Sequence, residues 1–344
     1  MSSPARTAAF IVPRPEAPSG GHAYNDAVLR HWPGDAPVRI EIPGPWPYGD
    51  EASLRTLREE LASAETVLLD GLVGAAHPDL IVAASESGHQ VVLLIHLPLA
   101  DEFGLDEEQR ADLAEREHQS IEAAWRVVTT SRHAAIEVGR THHRADVVAV
   151  PPGTDEAALA ERHDPPRLLQ VGSIGPRKNQ LGTLAALARC DDLDWSMTFV
   201  GPVADPDYAE ELTASLSDRA TWAGALVGDA LEDAYGAADL LVHPARAETW
   251  GMVVTEALAR GIPVVVGAGT GAVEALTSGS GTDGAVPGAA VLSGHEGELA
   301  IVLRRWLTDR ELRDEWRARA EAARPRLRRW PDAADELARV LEDR

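Results

Sequence analysis

The sequence predicts an α/β protein made of two doubly wound, Rossmann-like domains in series. Three observations carry this. The chain has 344 residues, and a single hydrophobic core rarely grows past about 250–300 residues. Short apolar runs alternate with amphipathic stretches along the whole length, as parallel strands buried on both faces do when helices connect them. The alternation lapses at residues 151–166, which open on Pro-Pro-Gly and close on Asp-Pro-Pro. Prolines restrict the residue before them and interrupt regular structure, so this stretch reads as a linker.

In the first half, apolar runs at 8–12, 38–42, 66–69, 91–95, 127–129 and 147–150 predict strands. Residues 23–31, 51–64, 107–125 and 132–141 space their apolar positions as helices do. In the second half, 167–171, 196–200, 240–242, 263–266 and 289–292 predict strands, and 179–188 and 208–217 predict helices between them. From about 296 onward the chain reads as helical to 344, broken by Pro325 and Pro331. The expected domains are residues 1–155 and 156–327, with a last helix at about 328–344 packing back on the first. In such sheets ligands bind beyond the carboxyl ends of the strands, so the strand-end loops are where chemistry is sought.

The formal net charge is −23. The acid excess is spread out: residues 1–155 hold 12 Arg, no Lys and 24 acids. Such a field repels nucleic acid and anionic lipid, and neither is expected as a partner. The exception is the segment from Arg304 to Arg329, with ten Arg against five acids, which reads as a solvated helix face. A lone Cys190 excludes an internal disulfide and fits a small residue near a helix end. No apolar run approaches the ~20 residues of a membrane span. Residues 1–9 lack the basic and apolar regions of a signal peptide, so a cytoplasmic protein is expected. Of 32 basic residues, 31 are Arg and one is Lys178, a compact, flexible ammonium in a chain that otherwise uses guanidinium.

Residues 240–256 read as strand, loop and helix start. Glu248 falls in the loop, Gly251 permits close backbone approach, and Glu256 lies on the early turns of the helix. Free N–H groups at a helix start attract phosphate, and carboxylates suit sugar hydroxyls. Spacing alone would leave these as two ordinary glutamates.

The wider context resembles family-4 glycosyltransferases of the GT-B architecture. Glu248 to Glu256 matches their Glu-x7-Glu signature. The continuation from Ala257 to Val265 is similar, as are Tyr235 to Asp239 leading into His243-Pro244, and Val171 to Asn179. In the first half, Gly20-Gly21, His96 and Val150 to Asp155 match in position. The resemblance implies that residues 156–327 bind a nucleoside-diphosphate sugar, UDP- or GDP-linked, and that residues 1–155 face the acceptor. Glu256 would bind the ribose, Glu248 and His96 the donor sugar, and Gly251, Met252 and Val253 would turn N–H groups to sugar and phosphate. Arg177 and Lys178 would neutralise the diphosphate. Gly20, Gly21 and Ser173 would border the donor, with the base near Ala225 and Leu226. Ser173 stands where many members place Arg, a departure that bears on which phosphate Arg177 reaches.

The expected reaction is a retaining, metal-independent hexosyl transfer to a soluble small-molecule or oligosaccharide acceptor. No metal or further cofactor is expected, and no strong membrane association. A GT-B epimerase and a non-catalytic nucleotide-binding subunit remain the alternatives. Four other features read as incidental: Asp192-Leu-Asp194 and Asp205-Pro-Asp207 as loops, residues 267–272 as a glycine loop at a helix start, and His142-His143 as a surface pair.

Overall fold

The computed structural model describes residues 6–15, 19–102, 104–281 and 284–342. The leader reading at residues 1–9 and the end of the 328–344 helix therefore lie partly outside the described residues. The chain divides into two compact units, Met1–Pro152 with Trp330–Arg344, and Gly153–Arg329.

The first unit is a six-stranded parallel sheet of β1 (Arg6–Pro13), β2 (Val38–Ile42), β3 (Ala64–Asp70), β4 (Gln90–Ile95), β5 (Arg126–Thr129) and β6 (Val148–Ala149). The order is β2-β1-β3-β4-β5-β6. Phe10, Ile11, Leu68, Leu69, Leu93 and Leu94 are fully buried, because helices cover both faces. These are α1 (Gly20–Arg30), α2 (Glu51–Leu61), α3 (Gly71–Gly74), α4 (Pro78–Glu86), α5 (Glu107–Ala123) and α6 (Arg132–Thr141). Capping boxes start α2, through Asp50 and Ser53, and α5, through Asp106 and Gln109. Asp70, at the end of β3, caps α3 through Leu72 N–H.

The second unit repeats the plan with β7 (Arg167–Val171), β8 (Ser196–Val200), β9 (Ala220–Trp222), β10 (Leu240–His243), β11 (Val264–Ala268) and β12 (Gly288–Leu292). The order is β12-β11-β10-β7-β8-β9, all parallel. The helices are α7 (Gln180–Ala188), α8 (Pro206–Ser215), α9 (Asp229–Gly236), α10 (Met252–Ala259), α11 (Gly271–Thr277), α12 (Glu296–Thr308) and α13 (Arg310–Ala323). The final helix, α14 (Trp330–Glu342), belongs to the first unit, where Trp330 packs edge-on against Tyr24 of α1. In the second sheet the strand order reverses at β7 and β10, which lie side by side although about 70 residues separate them.

The expected α/β class with two parallel sheets is what the structure shows. Four local expectations are corrected. Residues 153–164 lack regular structure but are not a loose tether. Thr154 N–H donates to Arg328 O, Ala160 N–H to Arg260 O and Glu161 N–H to Gly236 O, at 2.8–3.0 Å. Secondly, the arginines of 304–329 are not simply a solvated face. Arg324 donates to Ala157 O and Ala259 O, Arg326 to Gly279 O, and the buried Arg317 to Ala160 O. A guanidinium fork can satisfy several carbonyls at once, so these side chains staple irregular backbone. Thirdly, His142 is buried: it stacks on His118 at 5.6 Å and faces the buried Glu117. Fourthly, the helix expected at 23–31 begins earlier: Gly20 and Gly21 form its first turn, with Ser19 as N-cap.

Of the incidental features, Asp205 caps α8 and Asp192 pairs with Arg304.

Candidate functional site

The adjacency of β7 and β10 brings two strand-end loops together, and these build a dense polar site in the second unit. The loop after β7 carries Ser173, Arg177 and Lys178; the loop after β10 carries Glu248. Backbone and side chains lace them to each other. Arg246 N–H donates to Arg177 O at 2.8 Å, and the Arg177 guanidinium donates to Ala247 O at 3.3 Å. Within the first loop, Gln170 donates to Lys178 O and Gln180 to Ser173 O. Asn179 adopts a left-handed conformation (φ 61°) that turns the chain into α7.

Lys178 donates to Glu248 Oε2 at 2.5 Å, and both side chains are nearly buried, 13% and 10% exposed. The Lys178 stem runs past Gly172, where any Cβ would sit 3.4 Å from it. His243, the last residue of β10, is fully buried and lies 3.0 Å from the same oxygen. An ionised carboxylate only accepts, so His243 Nε2 carries the proton and donates. Burial acts to raise the Glu248 pKa, but Lys178 and the His243 hydrogen bond outweigh it and hold the carboxyl well below its usual range. Burial lowers the Lys178 pKa, with the Glu248 charge opposing. Burial also lowers the His243 pKa, so the imidazole is neutral near pH 7.

Gly251 follows in a left-handed conformation, φ 83°, and opens α10. A Cβ there would meet Glu248 Cγ at 3.3 Å and His243 Nε2 at 3.5 Å. Met252 and Val253 begin the helix, where N–H groups have no partner one turn back. Glu256 comes next on α10. Tyr235 of α9 donates to its Oε2 at 2.7 Å, and Arg260 lies over the Tyr235 ring while donating to Glu256 O and to both oxygens of Glu232. Burial raises the Glu256 pKa, and the Tyr235 hydrogen bond and Arg260 oppose it.

A third loop supports the Glu248 loop from behind. At Gly271 a Cβ would fall 1.8 Å from Thr249 O, and at Gly267 it would fall 2.1 Å from Ala245 O. Gly267 and Gly271 thus serve close packing of backbone on backbone, while Gly269 takes a left-handed conformation, φ 72°, with open space beside it. Gly271 N–H completes the contact with a 2.7 Å hydrogen bond to Glu248 O. Ala225 and Leu226 follow β9 at the sheet edge, two strands from β7, and Leu226 is half-buried against the hydrophobic cluster that includes Tyr235 and Val254.

In the first unit, the expected residues Gly21 and His96 do meet. His96 follows β4, and a Cβ on Gly21 would approach its ring at 3.2 Å. Asn25 donates to Asp70 Oδ2 at 2.7 Å, which turns its Oδ1 toward His96 Nε2 at 2.9 Å. Tyr24 packs edge-on against the ring at 5.2 Å. Burial lowers the His96 pKa, with Asp70 opposing. Gly20 has no neighbour near its missing Cβ.

Sequence reasoning passed over His243, Arg260, Asn25 and Asp70 as site residues. Asp70 offered a signal, an acid at the carboxyl end of an apolar strand. Asn25, inside a helix, offered none.

Two parallel α/β sheets of this order are the fold of the GT-B glycosyltransferase structures. Residues 153–323, nearly all of the second unit and just under half of the chain, match the glycosyl transferases group 1 family. Among curated relatives, the D-inositol 3-phosphate glycosyltransferase of Mycolicibacterium vanbaalenii is 31% identical over 203 residues, which are 50% of this chain and 45% of the relative. The GDP-mannose-dependent alpha-mannosyltransferase of Mycolicibacterium smegmatis is 32% identical over 136 residues, 39% of this chain and 34% of the relative. The alignments thus span less than half of either relative. Among solved structures, Anabaena HepE in complex with UDP and glucose matches with a TM-score of 0.76 at 15% identity, covering 98% of this chain and 100% of that one. Sucrose-phosphate synthase of Thermosynechococcus elongatus matches with a TM-score of 0.76 at 19% identity and 98% coverage of both. Among the described residues, no helix is long and apolar enough to cross a membrane.

Proposed function

We propose that the protein is a retaining, metal-independent family-4 glycosyltransferase. It moves a hexosyl group from a UDP- or GDP-linked sugar to a hydroxyl of a soluble small-molecule or oligosaccharide acceptor. The observation that carries this reading is the Lys178–Glu248–His243 network at the β7/β10 reversal, with Glu256 about one turn into α10, in a glycosyl transferases group 1 domain. Departure of a nucleoside diphosphate builds negative charge on its phosphates. A cation at ~4 Å is worth on the order of 4 kcal/mol at an effective dielectric near 20, and Lys178 with Arg177 supplies that charge without a metal. Glu256 accepts from the ribose hydroxyls and Glu248 from the sugar, while Gly251, Met252 and Val253 turn N–H groups toward sugar and phosphate. His96, Gly20 and Gly21 keep the donor-contact roles that the resemblance implies. Retention also follows the resemblance: the leaving phosphate takes the acceptor proton on the face it departs from. A chain with a single cysteine suits the reducing cytoplasm.

The test is a panel of nucleotide sugars, each with and without candidate acceptors. Sugar transfer to an acceptor supports the proposal. Donor interconversion without acceptor identifies an epimerase, and binding without turnover identifies a nucleotide-binding subunit. Lys178→Ala is expected to lower turnover by roughly 10²–10³. Unchanged turnover in that variant overturns the phosphate assignment.

A further inference from the structure

Glu248 accepts two hydrogen bonds on one oxygen, from Lys178 Nζ and from His243 Nε2. In the reading above, Lys178 serves the diphosphate of the donor, and as its ammonium turns to phosphate it leaves Glu248. A nearly buried carboxylate stripped of its partner is far more costly than one hydrogen bond is favourable. His243 supplies the remaining donor. It ends a central strand and is 0% exposed. The charged groups facing it are Lys178, Glu248 and Arg177. As a neutral imidazole it adds no charge that would compete with the ammonium or repel it.

We propose that His243 is a positioning residue: it keeps Glu248 hydrogen-bonded and in place when Lys178 transfers its ammonium from that carboxylate to the diphosphate of the nucleotide donor. This rests on the nucleotide-sugar reading. Gly251 is part of the arrangement, because a side chain there would crowd both members of the Glu–His pair.

The test measures the affinity of UDP, GDP and ADP by calorimetry, then compares the nucleotide that binds with its monophosphate. In His243→Leu, diphosphate affinity is expected to fall about 10-fold or more, with the monophosphate far less affected, since only the diphosphate draws Lys178 away. His243→Gln, whose amide reaches about as far as Nε2, is expected to recover most of the loss. A purely space-filling role predicts no such rescue and no difference between the two nucleotides. Equal losses for both, wild-type affinity in His243→Leu, or failure of Gln to rescue overturns the inference. If His243→Leu does not fold, His243→Asn replaces it, with an amide too short to reach Glu248 and the same expectation. Lys178→Ala separates the two levels. Unchanged diphosphate affinity there, or a wild type that binds none of the three, overturns the donor reading itself. A loss there beside a normal His243→Leu overturns only the role of His243.

Discussion

Tyr235→Phe changes one oxygen atom and tests what holds Glu256. The tyrosine is 1% exposed and its hydroxyl sits 2.7 Å from Glu256 Oε2, so the hydrogen bond is short, dry and charge-assisted whenever Glu256 is ionised. Hydrogen bonds to charged groups contribute about 1.5–3 kcal/mol, which corresponds to roughly 10- to 150-fold in an equilibrium constant. That stabilisation favours the ionised carboxylate, the form able to accept from both ribose hydroxyls. Burial already raises the Glu256 pKa, and the tyrosine opposes the rise. Removing it raises the pKa further. Nucleotide affinity should therefore fall as pH drops, and this acid limb should lie at higher pH in Tyr235→Phe than in wild type. Affinity at acidic pH should be the more strongly reduced, and alkaline pH should recover much of the loss. Calorimetric titrations with the preferred nucleoside diphosphate at several pH values read this directly. Superimposable pH profiles for the two proteins would refute the reasoning, because they would mean that Glu256 does not bind nucleotide in its ionised form, or that Tyr235 does not govern that form.

Glu117→Gln tests a buried acid outside the donor loops. Burial pushes the Glu117 carboxyl to about 8, from 4.5 in an exposed group. A pKa raised on folding gives a contribution fully present below the unfolded value and lost as pH climbs through the folded one, here from about 4.5 to about 8. By that linkage the wild type forfeits about 3 kcal/mol by pH 7, so Glu117→Gln should be the more stable protein near pH 7–8 and match wild type near pH 4.5. Denaturant unfolding across this range decides it, and parallel curves sink the idea. Gly271→Ala places a methyl 1.8 Å from Thr249 O. The clash should cost at least about 1–3 kcal/mol of stability and displace the Glu248 loop, weakening nucleotide binding. Wild-type unfolding and affinity would count against that packing.

What could be read from the sequence, and what could not, divides along physical lines. Buried parallel strands carry their signal in a continuous apolar run, so 196–200 coincides with β8 and 91–95 lies within β4. β9 escaped because it has three residues at a sheet edge, one of them exposed. α9 escaped because it is short, acidic and buries only Tyr235 deeply. The hold on residues 153–164 escaped because its partners lie far along the chain, as Arg317 and Arg324 do. Glu248 and Lys178 could be found separately by motif, yet their pairing depends on β7 lying beside β10, a fact of topology. His243 showed only in the His243-Pro244 pair that follows the strand expected at 240–242, with no role attached to it.

Lys178 is the sole lysine in the sequence. Its ammonium is therefore the only side-chain primary amine, and it sits in the proposed donor site, tied to Glu248. Chemistry that decorates most proteins at random becomes addressed here. An amine-directed acylating reagent has one side-chain target, and its rate of reaction follows how often that ion pair opens. A lysine-specific protease has one bond to cut, between Lys178 and Asn179 at the start of α7. Protection of this single residue from label or cleavage, read by mass spectrometry, gives a direct report of donor-site occupancy without knowledge of the sugar, the base or the acceptor.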